Sequence, residues 1–269
     1  MVRLGSARSG TSSGEARLAL SNGGFRVQIE LAHPVAVVRA SGVLDAYTAA
    51  DLRTALLECV VDQPDGVVLD VGDLAVTDDV ALTVLASVAR QSELWPGTRF
   101  ALAAPNSQVK ESVNRLGLER YVAICPDQHS AISTLTQGPA PASRRDLITP
   151  DRHAPGAARA AVDEFCTEHG VVGGDAAQLV ASELVTNAVV HAGTPIELTL
   201  RLVSPLLHIA VRDGGDGQVK IPDIVDESSI SGRGLLLVDA MATAWGSVIP
   251  ERGKVVWATV RVRPSRPIE

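Results

Sequence analysis

The segment 136-TQGPAPASRRDLITPDRHAPG-156 constrains this chain most. It holds four prolines and few large apolar residues. Proline fixes its own backbone and has no amide hydrogen to donate. Such a stretch cannot build a core, and it reads as a linker with one short strand at 146–149. It divides the 269 residues into two parts of ordinary domain size. The expected organisation is a disordered tail over 1–24, a first domain over 25–136, a linker over 137–145 and a second domain over 146–263.

Composition narrows the function classes. The chain is 46% hydrophobic, enough for two cores. Its 24 Lys and Arg are outnumbered by 31 Asp and Glu, for a net charge of −7, and aromatics make up only 3%. That balance argues against a nucleic-acid partner, which needs a basic face and, for single strands, stacking rings. Cys59, Cys125 and Cys166 form no C-x-x-C pair, which disfavours a zinc site or disulfide framework and fits a cytoplasmic setting. The small, polar N-terminus lacks the apolar run of a signal peptide. No run approaches the roughly 18 apolar residues of a membrane span, so no membrane partner is expected.

The first half alternates strand and helix patterns. Strands are expected at 25–31, 35–42, 66–71, 99–104 and 121–125. Helices are expected at 48–60, with Thr48 as N-cap, and at 79–93, 107–117 and 127–135. Repeated β-α units predict an α/β domain. The second half predicts helices at 155–170, 174–193 and 234–246, and strands at 196–203, 206–213 and 254–262. Helices to one side of a mostly antiparallel sheet make an α+β sandwich.

Three features of the second half carry chemistry. In 183-ELVTNAVVHA-192, Glu183, Asn187 and His191 recur every four residues and share one helix face. An Asn oxygen can ligate Mg2+, and a Glu one turn earlier can accept a proton. In 211-VRDGGDGQ-218, Asp213 precedes Gly214, Gly215 and Gly217, glycines that let a planar ligand approach the backbone. In 231-SGRGLLLVDAM-241, Gly232 and Gly234 lead into an apolar helix whose free amides suit phosphate. Taken singly, these also read as a solvated stripe, a hairpin turn and a loop.

In this order the three resemble the N, G1 and G2 boxes of the GHKL (Bergerat-fold) ATPases. The wording ELVTNAVVHA and the closing 253-GKVVWATV-260 are similar to the anti-sigma-factor serine kinase branch. The resemblance implies a Bergerat-fold sandwich binding ATP and Mg2+. In it Glu183 matches the general base, Asn187 the Mg2+ ligand and Asp213 the adenine-reading aspartate. Gly215 and Gly217 line the nucleotide, and Gly232, Arg233 and Gly234 form the phosphate-side lid. His191 matches no catalytic role.

The first half resembles a STAS domain, the fold of anti-sigma-factor antagonists. The resemblance rests on 42-GVLDAYTAADLRTAL-56, 67-VVLDVGDLAVTDDVALTVL-85 and the stretch 99–124. Regulatable antagonists carry D-[ST]-x-G where this chain reads 78-DDVA-81. Asp78 matches the family aspartate, and Asp79 stands at the phosphoacceptor position, so that site is degenerate. The nearest hydroxyls are Thr77 and Thr83. Asp78 and Asp79 either cap a helix or, through Asp79, imitate a phosphate with about half its charge.

Together the two resemblances imply an ATP-binding anti-sigma factor and serine/threonine protein kinase of the partner-switching type. It is fused to a non-phosphorylatable STAS antagonist-like domain. Implied partners are a sigma factor, a separate STAS antagonist, or both, with a homodimer through the ATPase domain. Alternatives are a catalytically silent, nucleotide-gated binding scaffold, or ATP hydrolysis driving a conformational cycle.

Overall fold

The computed structural model describes residues 15–22, 24–31, 34–215, 233–250 and 253–265. The chain forms two compact units, Met1–Ala140 and Pro141–Glu269. Among the described residues no helix is long and apolar enough to cross a membrane.

The first unit is an α/β layer. Its strands are β1 (Glu15–Asn22), β2 (Phe25–Leu31), β3 (Val35–Leu44), β4 (Gly66–Val76), β5 (Arg99–Ala103) and β6 (Ala123–Cys125), hydrogen-bonded in that order. β1, β2 and β3 pair antiparallel, and β3 through β6 pair parallel. The helices are α1 (Ala49–Val61), α2 (Thr83–Leu94), α3 (Ser107–Leu116) and α4 (Gln128–Thr136). Val38, Leu69 and Leu102 face a core shared with Leu52 and Leu56 of α1, Val88 of α2 and Val109 of α3. Val37, Val68 and Ala101 face the other way, onto Ala131 and Leu135 of α4. Both faces are covered, and so these strands read as near-continuous apolar runs.

Three local expectations change here. β1 lies inside the stretch expected to be a disordered tail, where the sequence ARLAL alternates at strand period and pairs with β2. Thr48 flanks α1 without a side-chain cap. Asp45 does the capping instead: its Oδ1 accepts from the Thr48 amide at 2.9 Å, and the Thr48 hydroxyl accepts from the Asp45 amide at 2.9 Å. The helix expected from residue 79 opens as a 3-10 turn, Asp79–Leu82, before α2 begins.

The second unit is an α+β sandwich. Its strands are β7 (Ala142–Ile148), β8 (Val171–Val172), β9 (Ile196–Val203), β10 (Leu206–Asp213), β11 (Ala244–Val248), β12 (Lys254–Arg261) and β13 (Arg263–Pro264). Its helices are α5 (Ala154–Glu168), α6 (Asp175–His191) and α7 (Arg233–Met241). Five strands form an antiparallel sheet in the order β11-β12-β10-β9-β7, and β13 pairs with β8. Leu198, Leu200, Ile209, Val211, Val256 and Ala258 meet Phe165 of α5 and Val180, Leu184 and Val185 of α6 in one core.

β7 takes in the last four residues of the expected linker, 142–145, and runs on through most of the short strand expected at 146–149. It is an edge strand of alternating exposure, and Arg144 pairs with Asp146 and Glu164, each at 2.9 Å. Charge on an edge blocks pairing with other chains, and it also hides the strand from an apolar pattern. The expected helix 234–246 stops at Met241, and Ala244–Val248 becomes β11 on the edge beside β12. The Thr243 amide donates to the Thr259 carbonyl at 2.7 Å, and Gly246 lies against the Trp257 ring.

His208 of β10 sits across from Arg201 of β9 and is 2% exposed. Burial first, and then the neighbouring guanidinium, push its pKa from 6.5 down to about 4. The unfolded chain therefore takes up a proton below pH 6.5 that the folded chain refuses until about pH 4. Stability present above pH 6.5 should fall through that window by up to about 3 kcal/mol. Urea unfolding of the chain at stepped pH should show this acid slope, and His208→Gln should flatten it.

Candidate functional site

Helix α6 buries Ala177, Val180, Ala181, Leu184, Val185 and Ala188. Helical periodicity then leaves Glu183 and Asn187 half-buried on the flank, while His191 is exposed at the end. Glu183 is close to the start of α7: a Cβ added to Gly234 would overlap its Oε2. Only glycine lets that backbone approach the carboxylate so closely.

Asp213 ends β10, and its side chain is 1% exposed. Its Oδ1 accepts from the Gly215 amide at 2.8 Å. Among the described residues its Oδ2 has no hydrogen-bond partner, and the Lys254 ammonium lies 3.7 Å away. The Gly214 amide donates to the Thr194 hydroxyl at 2.7 Å, and Gly215 faces Ala192. These contacts fasten the turn after β10 to the C-terminal end of α6. Gly253, at φ +75°, packs on the Asp213 carbonyl so tightly that an added Cβ would overlap it.

The structure thus brings Glu183 together with Gly234, and Asp213 with Gly215, around one helix. Gly217 and Gly232 lie outside the described residues, as does the side chain of Arg233, which opens α7. Lys254, Gly253 and Thr194 were not singled out by the motifs. A Gly-Lys pair opening the last long strand was the available signal for the first two.

The donor set suits a nucleotide with a divalent cation. A buried carboxylate oxygen lacking a donor fits an exocyclic amino group. Among the described residues no three His, Cys, Asp or Glu side chains gather into a metal cluster. The Asn187 amide oxygen could hold a divalent cation of the Mg2+ kind, which commonly takes further ligands from phosphates and water.

In the first unit the two acids divide their work. Asp78 caps the 3-10 turn, accepting from the Val80 amide at 3.0 Å. The Asp79 carboxylate turns away to α3, where it accepts from the Ser112 hydroxyl at 2.6 Å and pairs with Arg115. Asp79 is therefore no cap, contrary to the capping expectation. Val43, Tyr47 and Val80, also in this unit, leave large apolar side chains exposed.

Two family models match. The STAS domain model covers residues 26–131, and the histidine kinase-like ATPase domain model covers residues 149–260. The anti-sigma-F factor antagonist RsfB of Mycobacterium tuberculosis is 28% identical over 104 residues, covering 39% of this chain and 84% of that protein. Among solved structures, an anti-sigma factor antagonist from Mycobacterium paratuberculosis is 25% identical. It covers 43% of this chain and 98% of its own, with a TM-score of 0.38. The RsbU and RsbW domains of Rv1364c from Mycobacterium tuberculosis are 20% identical. They cover 48% of this chain and 34% of theirs, with a TM-score of 0.36. An ATPase domain implies ATP binding, and the two matches do not overlap. This chain is a fusion in which a STAS domain, residues 26–131, precedes a histidine kinase-like ATPase domain, residues 149–260.

Proposed function

We propose that the chain is a regulator of the partner-switching type whose C-terminal domain is an ATP-dependent serine/threonine protein kinase and anti-sigma factor. Its protein substrate is a separate STAS antagonist that still carries a hydroxyl acceptor. The observation that carries this reading is the unpartnered Oδ2 of Asp213, buried within a turn fastened to the helix that bears Glu183 and Asn187. The match to a named anti-sigma-F factor antagonist supports the regulatory setting.

In this reading Asp213 accepts from the amino group of adenine, and Gly215 lets the base lie against the backbone. Asn187 offers its amide oxygen to Mg2+, which when bound neutralises charge on the phosphate oxygens. Glu183 accepts the proton of the substrate hydroxyl as its oxygen bonds to the γ-phosphorus, and ADP carries away the broken bond's electrons. Gly217 lines the nucleotide with Gly215, and Gly232, Arg233 and Gly234 form the phosphate-side lid.

The STAS domain serves as a docking module that cannot itself be switched by serine phosphorylation. Asp79 is a structural acid in this reading, since its charge is met inside the domain by Ser112 and Arg115. That arrangement favours a lost acceptor over an imitation phosphate, because a mimic must present its charge to a partner.

Three results test this. Labelled phosphate from Mg2+-ATP should pass to an intact STAS antagonist, and Glu183→Ala should slow transfer about 10²–10⁴-fold. Phosphate release without transfer would instead indicate a hydrolytic cycle. Gly234→Ala should leave the melting temperature unchanged or slightly raised, since alanine favours helix. It should nevertheless slow transfer alongside Glu183→Ala, because the new methyl displaces that carboxylate. Asp79→Ala should cost about 1–2 kcal/mol in urea unfolding through the charge-assisted Ser112 bond. Arg115→Ala should cost under about 1 kcal/mol, since the guanidinium is largely exposed. A costless Asp79→Ala would return the acid to an outward, phosphate-like role.

A further inference from the structure

Lys254 opens β12 directly opposite Asp213. Two residues further along the same ladder, Val211 meets Val256, and both belong to the core under the helices. Strand alternation therefore sets Asp213 and Lys254 on that same helix-covered face. A lysine can normally extend its stem and keep its ammonium in water. This one does not, for its side chain is only 9% exposed.

A buried ammonium is costly unless it is paired and hydrogen-bonded. Asp213 is its ionic partner, but at 3.7 Å the two stand beyond the roughly 3.2 Å reach of a good hydrogen bond. The ammonium leaves Oδ2 open, and Oδ2 has no other donor among the described residues. The pairing is held in place by the backbone, since the Gly253 turn that delivers Lys254 packs on the Asp213 carbonyl. Two heads of opposite hydrogen-bonding character are thus fixed side by side. An ionised carboxylate only accepts, and an ammonium only donates. A flat ring edge with a donor next to an acceptor satisfies both at once.

We propose that Lys254 is a second base-reading residue, donating to the ring nitrogen N1 of adenine beside the amino group that Asp213 accepts. This rests on reading the C-terminal domain as a nucleotide site, and it adds a specificity determinant to that site. The acceptor alone recognises any amino-bearing edge, whereas the carboxylate–ammonium pair demands the amino group and the ring nitrogen together.

Calorimetric titration of the full chain with ATP and with its 1-deaza analogue, which lacks N1, tests the proposal. The unmodified chain should bind the analogue about tenfold more weakly, the loss expected for one hydrogen bond to a charged group. Lys254→Met should bind both nucleotides at the weaker level, and Lys254→Gln, which keeps a donor, should recover part of the discrimination. An unmodified chain that binds the two equally would overturn the proposal without needing any variant to fold. So would a Lys254→Met chain that loses affinity for both by the same factor, because the lysine then only holds Asp213 in place. If Asp213→Asn abolishes ATP binding while N1 makes no difference, this inference alone fails. Absence of any ATP binding by the unmodified chain removes the underlying nucleotide-site reading as well.

Discussion

Burying a carboxylate is the constraint around which the second domain is arranged. An isolated ionised carboxylate in an apolar interior is so unfavourable that it would take up a proton unless it found donors and a counter-charge. Asp213 finds one donor in the Gly215 amide and a counter-charge in Lys254. Each demands something of the surrounding fold. The amide requires a glycine turn immediately after β10, and Thr194 anchors that turn to the end of α6. The lysine requires β12 to meet β10 in a register that sets residue 254 against residue 213. Register matters here, because a slip of one residue would carry Lys254 and Val256 together to the other face of β12, parting the ammonium from Asp213 and taking Val256 out of the core under the helices. The hydrophobic pattern of β12 and the electrostatics of Asp213 therefore select the same alignment.

The two domains handle an acid at a strand end in different ways. Asp79 receives the Ser112 hydroxyl and the Arg115 guanidinium from a single neighbouring helix, α3. Asp213 keeps one oxygen with no hydrogen-bond donor among the described residues. Native proteins pair nearly all their buried polar atoms, and an exception of this kind calls for a ligand or a strain. In the proposed function the unpaired oxygen is the point of recognition in the second domain, whereas the acid of the first domain is accounted for within its own fold.

The sequence displayed the apolar elements clearly and the polar ones poorly. β2, β9 and β10 match their expected ranges because alternating or continuous apolar residues mark them. Only the end of β7 is legible, as the short strand at 146–149, because Arg144 pairs with Asp146 along the strand and with Glu164 on α5, which apolar periodicity does not register. β11 was read as the end of a helix because a five-residue stretch of small residues and one tryptophan fits either period. At the candidate site, spacing and resemblance single out Glu183, Asn187 and Asp213. They do not single out Lys254, since its importance comes from a strand register 41 positions away in sequence. The same limit hid Ser112 and Arg115, which lie one strand and one helix beyond Asp79.

The contacts of Asp79 also bear on the proposal that residue 79 is a lost phosphoacceptor. Had serine simply been exchanged for a residue of no consequence, the junction would need no partners of its own. Here the acid engages a fully buried hydroxyl, and Arg115 reaches both that hydroxyl and the carboxylate. A serine placed at residue 79 could neither carry the charge that Arg115 meets nor span the same distance to Ser112. Restoring the hydroxyl would therefore remove an internal bond as well as add an acceptor. If residue 79 is a lost acceptor, as proposed, the acid and α3 are coupled, and a return to serine would give up the contacts with Ser112 and Arg115.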